Sequence, residues 1–431
     1  MKSLQKHPYW WDDPAYKAVQ RAEPAEQLPG AVEVLIVGAG YTGLSAALTL
    51  ARAGREVVVI DAQAIGFGCS ARNGGNIGPS FHKLGMAGLT HAFGTTKAHA
   101  LLHESMNTLE YLKNLIATEQ IDCGLHLNGK FSGAPTPKRY DTAAREAELL
   151  NKAVGLEFEA VSQADQRNEI GSDRYHGGIV YPNDGHLHPG RYLAGLAERV
   201  LAEGVRIFAP ARMTGVKRDG KSFEVDVGGQ RVRADQVLIA TNGYSGPELP
   251  FFQKRVIPIR SAMIATEPLP TSVMDELSPK GRSFNEMSRV VLYFRPSPDR
   301  NRMVFGGRTF DQADRPNRYA PDLKRLMTRI FPQLNDSAIT HTWSGTVAYT
   351  FDHTPHLGTH DGLHYAMGYC GSGVGRSTYF GHKAALKILG SKDGKTELDG
   401  LEFPTRRFYT GKPWFMPTIV RWHSMMDRFD L

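Results

Sequence analysis

Residues 33–61 read EVLIVGAGYTGLSAALTLARAGREVVVID, and they constrain the fold more than any other stretch of the chain. The apolar run Val34–Val37 has the length and β-branched content of a buried strand. Gly38-Ala39-Gly40-Tyr41-Thr42-Gly43 follows, and then small and apolar residues at helical spacing from Leu44 to Ala53. Gly54 stops that helix, and a second apolar run, Val57–Ile60, closes on Asp61. This is a βαβ unit with G-x-G-x-x-G at the one place where the motif has a mechanical meaning. Gly38 permits the tight turn, Gly40 lets the backbone approach a pyrophosphate, and Gly43 lets helix and strand pack closely. A pyrophosphate would rest on the N–H groups of the helix start, whose dipole favours an anion. Asp61 is suited to accept hydrogen bonds from a ribose diol, and Tyr41, Thr42 and Ala62 belong to the same expected dinucleotide site. A membrane span is the competing reading of the nearly charge-free Val32–Ala51, but spaced glycines with Thr42 and Ser45 do not serve one, and Asp61 would go unexplained.

A second glycine cluster lies far along the chain. After the apolar segment Leu363–Gly368 comes the loop Tyr369–Gly375, containing Gly371-Ser372-Gly373-Val374-Gly375, and then a predicted helix, Arg376–Leu389. It offers another positive helix terminus. A nicotinamide dehydrogenase has no evident use for it, whereas a reduced flavin is anionic around N1 and O2 and would be stabilised there. FAD is therefore expected rather than NAD. The stretch GFGCSARNGGNIGPS, residues 66–80, is too rich in glycine and too poor in Lys and Glu for a solvated linker, and reads as a loop pressed against a ligand.

A chain of 431 residues exceeds what one core usually serves, so two domains are expected. The spacing predicts an α/β architecture, α+β overall, with a Rossmann-type FAD-binding domain and a second, mainly antiparallel substrate domain. The FAD-binding domain is assigned to residues 31–95, 150–245 and 340–395, and the substrate domain to 96–149 and 246–339. Residues 1–30 form an arm whose Tyr9, Trp10 and Trp11 pack on the body, and 396–431 a tail. Helices are predicted over 96–121 and 138–153. Gly178 onward reads as a strand, a polar turn, a helix from Pro189 to Glu203 and the strand Val205–Phe208, a further strand–helix–strand unit. Residues 211–240 alternate as a meander, and Gln236–Asn242 closes it as another strand of the parallel sheet. Between Gly246 and His341 the predicted strands are Val256–Glu267, Val290–Arg295 and Arg302–Gly307, with a helix near Asp322–Phe331.

The formal net charge of +7 is spread along the chain, without the basic run of a nucleic-acid arm. Three cysteines, Cys69, Cys123 and Cys370, make no disulfide framework and fit a reducing cytoplasm. The opening MKSLQKHPYWWDDPAYKAV has no apolar core of a secretory signal. No metal is expected. His353, His356, His360 and His364 are interrupted by Pro355, Gly358 and Gly362, which preclude the helix that i, i+4 ligation needs. The tail segment Trp414–Phe429 reads as an apolar and basic helix that docks on its own body, with no stable membrane insertion; a homo-oligomer is compatible with the sequence.

VGAGYTGLSAAL (37–48), GFGCSARNGGN (66–76), YPNDGHLHPGRY (181–192), LIATNGYS (238–245), YFRP (293–296), WSGTVAYTFDHTPHLG (343–358) and GYCGSGV (368–374) together resemble the D-amino-acid oxidase superfamily of FAD-dependent oxidoreductases. Its members include glycine oxidase and monomeric sarcosine oxidase, and the subgroup most alike is that of gamma-glutamylputrescine oxidase. The resemblance implies oxidation of a C–N bond in a small amine or amino acid, with hydride passing to flavin N5, the imine then hydrolysing, and O2 or another acceptor taking the electrons. It places Gly38, Gly40, Thr42 and Gly43 at the pyrophosphate and Asp61 at the ribose. Arg72, Asn73, Gly74, Gly75 and Asn76 would line the isoalloxazine, Gly371 to Gly375 would face N1 and O2, and Met213 to Val216 would meet adenine. Ala71 departs from the glycine usual there. Chemistry of this kind needs a neutral amine, a dry pocket and a stabilised reduced flavin rather than a catalytic triad. His353 either tunes the substrate amine or is a structural histidine; Arg295 either holds a substrate carboxylate or pairs with Asp299; Tyr293 falls on a strand near the pocket. His186 and His188 sit in a turn under the FAD-binding helix.

The carboxylate-binding lysine of sarcosine oxidase falls near Gly375, one place before Arg376, which is the expected anchor for an anionic substrate group. That enzyme's oxygen-activating lysine falls near Val304, so slow reaction with O2 is expected unless Arg260, Arg295 or Arg308 substitutes. A non-catalytic or electron-passing flavoprotein subunit of a hetero-oligomeric dehydrogenase is the alternative reading, and an NAD-dependent dehydrogenase the third. Sarcosine oxidase tethers its flavin through a cysteine in the segment matching Gly345–Asp352, where this chain has none. Acid or heat denaturation is expected to release all flavin as intact FAD, measured as flavin in the supernatant; yellow precipitate would show a covalent tether.

Overall fold

The computed structural model describes residues 4–79, 84–308 and 314–429. Met1–Ser3 of the arm, Ser80 at the end of the 66–80 loop, 309–313 in the expected substrate segment and 430–431 of the tail lie outside the described residues.

The strand Ala31–Val37 is flanked in parallel register by Val57–Ile60 (Val37 opposite Ile60) and by Gln230–Ile239 (Val37 opposite Ile239). Alternate residues explain why both runs are continuously apolar. Val34, Ile36, Val57 and Val59 pack beneath helices, whereas Leu35, Val37, Val58 and Ile60 join the core on the other face. The sheet continues through Arg206–Phe208 on one side and Leu363–Met367 on the other, with His356–His360 as its antiparallel edge. The strands Met213–Asp219 and Ser222–Val227 form the expected meander on Gln230–Ile239. Tyr41–Arg52, the leading helix, packs with Pro189–Ala202 and with Gly373–Ile388 under the opposite face.

The second sheet has eight strands in the order Ile339–Tyr349, Ile257–Thr266, Met303–Arg308, Leu292–Pro296, Ser283–Glu286, Lys130–Gly133, Gly178–Tyr181 and Glu159–Val161. Every pairing is antiparallel except Ser283–Glu286 on Lys130–Gly133. Phe284, Phe294 and Phe305 stack across adjacent strands at 5.3 Å between successive rings, and Tyr319, Leu323, Met327 and Ile330 of the helix Pro316–Ile330 cover them. This is the mixed fold with a parallel nucleotide sheet and a mainly antiparallel second sheet that the sequence predicts.

Sheet membership departs from the predicted segments at three strands, Glu159–Val161, Gly178–Tyr181 and Ile339–Tyr349, which all join the second sheet. Gly178–Tyr181 pairs with Lys130–Gly133 and Glu159–Val161, so it does not form a strand–helix–strand unit with Pro189–Ala202. The turn after it instead pairs Gly185–His186 with Asn76–Ile77 and carries the chain from one sheet to the other. Ile339–Tyr349 pairs along its length with Ile257–Thr266 and so belongs to the antiparallel sheet. The helix Gly85–Phe93 is an element the sequence reading lacks, and the second glycine loop is shorter than predicted, because its helix starts at Gly373.

The glycine turn is shaped by contact as well as conformation. Gly38 has φ +117°, and a Cβ there would lie 2.9 Å from the Ala240 carbonyl oxygen. A Cβ on Gly43 would stand 1.9 Å from the Gly38 oxygen and 3.1 Å from Ile36 Cγ2, so this glycine sets the distance between leading helix and strand. Gly43→Ala is expected to force them apart at a cost of about 3 kcal/mol or more, read as a lowered Tm and loss of bound flavin; an unchanged Tm would show that the helix shifts without cost.

Candidate active site

One cavity of about 1440 Å³ runs between the two sheets, from Gly38, Asp61 and Met213 to Tyr293, Arg308, Tyr349, His353 and His423. Of the residues predicted at the cofactor, Gly38, Gly40, Tyr41, Thr42, Asp61, Ala62, Arg72, Asn73, Gly74, Gly75, Asn76, Met213, Gly371, Ser372, Gly373 and Val374 line it. Gly43, Val216 and Gly375 do not. Gly43 is the packing glycine described above, Val216 lies on the meander against its core, and a Cβ on Gly375 would meet the Thr108 carbonyl at 3.1 Å.

At the nucleotide end, Asp61 accepts from the N–H groups of Ala39 (2.8 Å) and Gln63 (2.9 Å), and burial raises its pKa. The leading helix has no side-chain cap from its own Gly40; Ser70 Oγ accepts from the Tyr41 N–H at 3.1 Å, a contact the sequence reading missed. The Tyr41 ring is buried, and its hydroxyl donates to the Pro189 carbonyl at 3.0 Å. Thr42 Oγ1 and Tyr369 Oη share a hydrogen bond of 2.7 Å, tying the two glycine loops together.

The 66–76 loop is held from every side. Arg72 donates to the carbonyls of Phe67 (2.6 Å) and Ser344 (2.9 Å), with its guanidinium over the rings of both Trp11 and Phe67. Asn73 donates to the Cys69 and Ser70 carbonyls and accepts from the Gly75 N–H at 2.8 Å. Trp10, fully buried, donates to the Asn73 carbonyl at 2.9 Å, and Trp343 to the Arg72 carbonyl at 2.8 Å. Gly75, at φ +74°, could carry no side chain, since a Cβ would lie 2.1 Å from the Leu187 oxygen.

Two predicted site residues turn out to work from behind. Arg295 is buried outside the cavity and does not pair with Asp299, which accepts instead from Ser297 Oγ. Its Nε donates to the Gly74 carbonyl (2.6 Å), Nη2 to the Leu187 carbonyl (2.7 Å) and Nη1 to the Pro296 carbonyl (3.1 Å) and His186 Nδ1 (3.1 Å). Burial pushes its pKa down to about 9. Arg376 is likewise buried, away from the cavity lining, and donates to the Tyr369 carbonyl at 3.1 Å. As the fourth residue of the helix that starts at Gly373, Arg376 points into the protein, so the expected carboxylate anchor is not at this position. Tyr293 and His353 do line the cavity. Tyr293 Oη lies 3.0 Å from Ser261 Oγ, and burial raises it to about 12, so it is a neutral donor. Val304, at the position that the family resemblance gives to an oxygen-activating lysine, is buried with Trp10, Met263 and Trp343.

The far end of the cavity holds residues that the sequence reading left unassigned to substrate. Arg308 Nη2 donates to Tyr349 Oη at 2.6 Å. His423, on the tail helix Met416–Phe429, completes the wall, and burial together with Arg308 and Arg289 lowers its pKa. Asp427 secures that helix by accepting from Arg139 Nη2 (3.0 Å) and from the backbone N–H groups of Arg289 (3.0 Å) and Val290 (2.9 Å). The tail thus docks on its own body. Among the histidines weighed for metal, His356 binds Asp352, His360 stacks on Phe251 and His364 pairs with Gln236, so they do not converge. Cys370 is buried against Thr350, as a packing residue.

The cavity fits FAD. Gly373 opens onto free space, where a Cβ would have no neighbour within 4 Å, and Gly371 at φ +96° holds the turn before it. The helix it starts lacks a side-chain cap, and in the leading helix Ser70 takes only the Tyr41 N–H, so both present first-turn donors at cavity level. The FAD dependent oxidoreductase family matches residues 33–386, most of the chain. The chain belongs to that family. It is 31% identical over 407 residues to the probable oxidoreductase OrdL of Haemophilus influenzae, covering 92% of each chain. It is 30% identical over 408 residues to the gamma-glutamylputrescine oxidoreductase of Escherichia coli, covering 93% of each. The glycine oxidase structure from Geobacillus kaustophilus superposes with a TM-score of 0.72 at 20% identity, covering 88% of this chain and 99% of that one, and shares the fold. The protein is an FAD-dependent oxidoreductase, and both glycine loops, the 66–76 loop and the tail wall line one cavity.

Acid should loosen this site. His186 receives an N–H from Arg295 at Nδ1, which must therefore be unprotonated, leaving Nε2 to donate to the Gly281 carbonyl at 3.2 Å. Burial and Arg295 hold its pKa well below the ordinary histidine value, and burial brings neighbouring His188 to about 4. Both are neutral when folded but protonate when unfolded, so their contribution is complete above pH 6.5 and is lost as pH falls. Each contributes a slope of about 1.4 kcal/mol per pH unit below that point. Flavin fluorescence and Tm followed from pH 7 to 4 should report loss of FAD along that slope, and a flat profile would exclude it.

Proposed function

We propose that this enzyme oxidises a C–N bond of a small amine carrying an anionic group, bound at the cavity end lined by Tyr293, Arg308, Tyr349, His353 and His423. The observation that carries this reading is a single cavity joining the glycine turn to a lobe with an arginine at its wall. FAD, when bound, supplies the hydride acceptor. The chain must then bind the amine in its neutral form, aim its α-hydrogen along the cavity and keep water out. Tyr293 is a neutral hydroxyl in a buried setting and can orient the amine without charging it. Arg308 is already aligned by Tyr349 and suits a carboxylate, with which a guanidinium forms directional charged hydrogen bonds. The oxidised product is an imine, which water hydrolyses to a carbonyl compound and the remaining amine or ammonia. The relatives named above support the amine class, as one is a gamma-glutamylputrescine oxidoreductase and another a glycine oxidase.

FAD held without a covalent link accords with cofactor contacts made by glycine backbone and helix ends. An anaerobic screen of N-methyl amino acids, polyamine conjugates and D-amino acids tests the reading: bleaching of the bound flavin by at least one class is expected. Bleaching by none would favour an electron-passing subunit. Arg308→Gln should raise KM for a carboxylate-bearing substrate about 10- to 150-fold, the range of one charged hydrogen bond worth roughly 1.5–3 kcal/mol. The corresponding uncharged amine should be unaffected. Equal losses for both would make Arg308 a scaffold for Tyr349 instead.

A further inference from the structure

We propose that the outward face of the tail is a docking surface for an anionic lipid bilayer. Eight large hydrophobic side chains are exposed over the described residues, and five of them, Phe408, Trp414, Ile419, Trp422 and Met425, fall in this one segment. The tail helix has two sides of opposite character. Met416 and Val420 pack on Ile257, Ile259 and Tyr349, and Asp427 is bound to Arg139 and the Arg289–Val290 backbone. Ile419, Trp422 and Met425, spaced three residues apart, share the other side. Trp414 and Phe408, in the approach to the helix, are 75% and 79% exposed.

Charge identifies the occupant. Arg406, Arg407, Lys412 and Arg421 are exposed among these aromatics, whereas Glu402 stands at the edge and Asp427 is turned inward to its partners. A protein partner would desolvate an apolar centre and leave charge to the rim. Here cations alternate with aromatics along the chain, which suits a bilayer boundary: tryptophan and phenylalanine enter the headgroup and acyl border while arginine and lysine meet lipid phosphates. No helix of the described residues is long and apolar enough to cross a membrane, so the contact is peripheral. The helix is already fixed to the body by its inner side, and the surface therefore needs no folding step to bind.

The test is co-sedimentation of the flavin-loaded protein with mixed phosphatidylglycerol–phosphatidylcholine vesicles and with phosphatidylcholine vesicles alone, at low and high salt. Binding to the mixed vesicles only, a blue shift of tryptophan emission and a steep fall with salt are expected. The Trp414→Ser/Trp422→Ser variant should keep its flavin and amine-dependent bleaching yet lose about tenfold or more in vesicle affinity. Failure of the unaltered protein to bind mixed vesicles overturns the proposal, as does unchanged binding by the double variant. A concentration-dependent dimer that the double variant abolishes, without vesicle binding, would overturn it in favour of a second copy of this chain.

Discussion

A buried guanidinium with no carboxylate paired to it among the described residues organises this molecule. Arg295 is 1% exposed and is held by the carbonyls of Gly74, Leu187 and Pro296 and by His186 Nδ1. Removing such a charge from water is costly unless several acceptors replace its hydration, and these acceptors belong to three separate stretches of chain. Satisfying one cation therefore fixes the flavin loop, the crossover turn and the antiparallel sheet relative to each other. The Trp10 ring lies against the same guanidinium, its centroid 5.1 Å from the guanidinium carbon, while its N–H donates to the preceding carbonyl of the loop, that of Asn73. The first segment of the chain is thus part of the same constraint.

Around that anchor, backbone does the work that side chains do in many sites. The glycine turn, the Gly74–Gly75 corner and the Gly371–Gly373 loop give the cavity walls without bulk, and two helix starts face into it. The side chains named for the cofactor mostly hold loop to loop: Asn73 braces its own turn, Thr42 meets Tyr369, and Asp61 closes the first glycine turn. Preorganisation of this kind leaves little to rearrange when a dinucleotide enters.

What the sequence made legible was whatever depends on local pattern. The βαβ unit, the meander and the second glycine loop follow from periodicity and from glycines at fixed offsets. What stayed hidden depends on which distant segments meet. Gly178–Tyr181 looks like any short buried strand, and nothing local says that its partners are Lys130–Gly133 and Glu159–Val161. Arg376 lies on the side of its helix turned from the cavity, which Gly373, Val374 and Ser377 line, and no alignment of motifs shows which face a residue takes. Ser70 and His423 had no signal of their own, and Arg308 had none toward a substrate, since each matters only through a neighbour more than 20 residues away. Trp10 carried a partial one, as an aromatic cluster in an otherwise polar arm.

His423 lies beyond the span matched by the family, yet it forms part of the chamber where substrate is proposed to sit. The tail that carries it is attached through Asp427 and a small apolar patch, and shares no strand with either sheet. The chamber is thus assembled from two parts under different constraints. The inner cradle can accept few substitutions without breaking the glycine contacts, but the outer wall is an appendage whose sequence can drift with little cost to the core. A lineage of such enzymes can therefore acquire new tastes by rewriting its last helix while the machinery for moving electrons stays as it is.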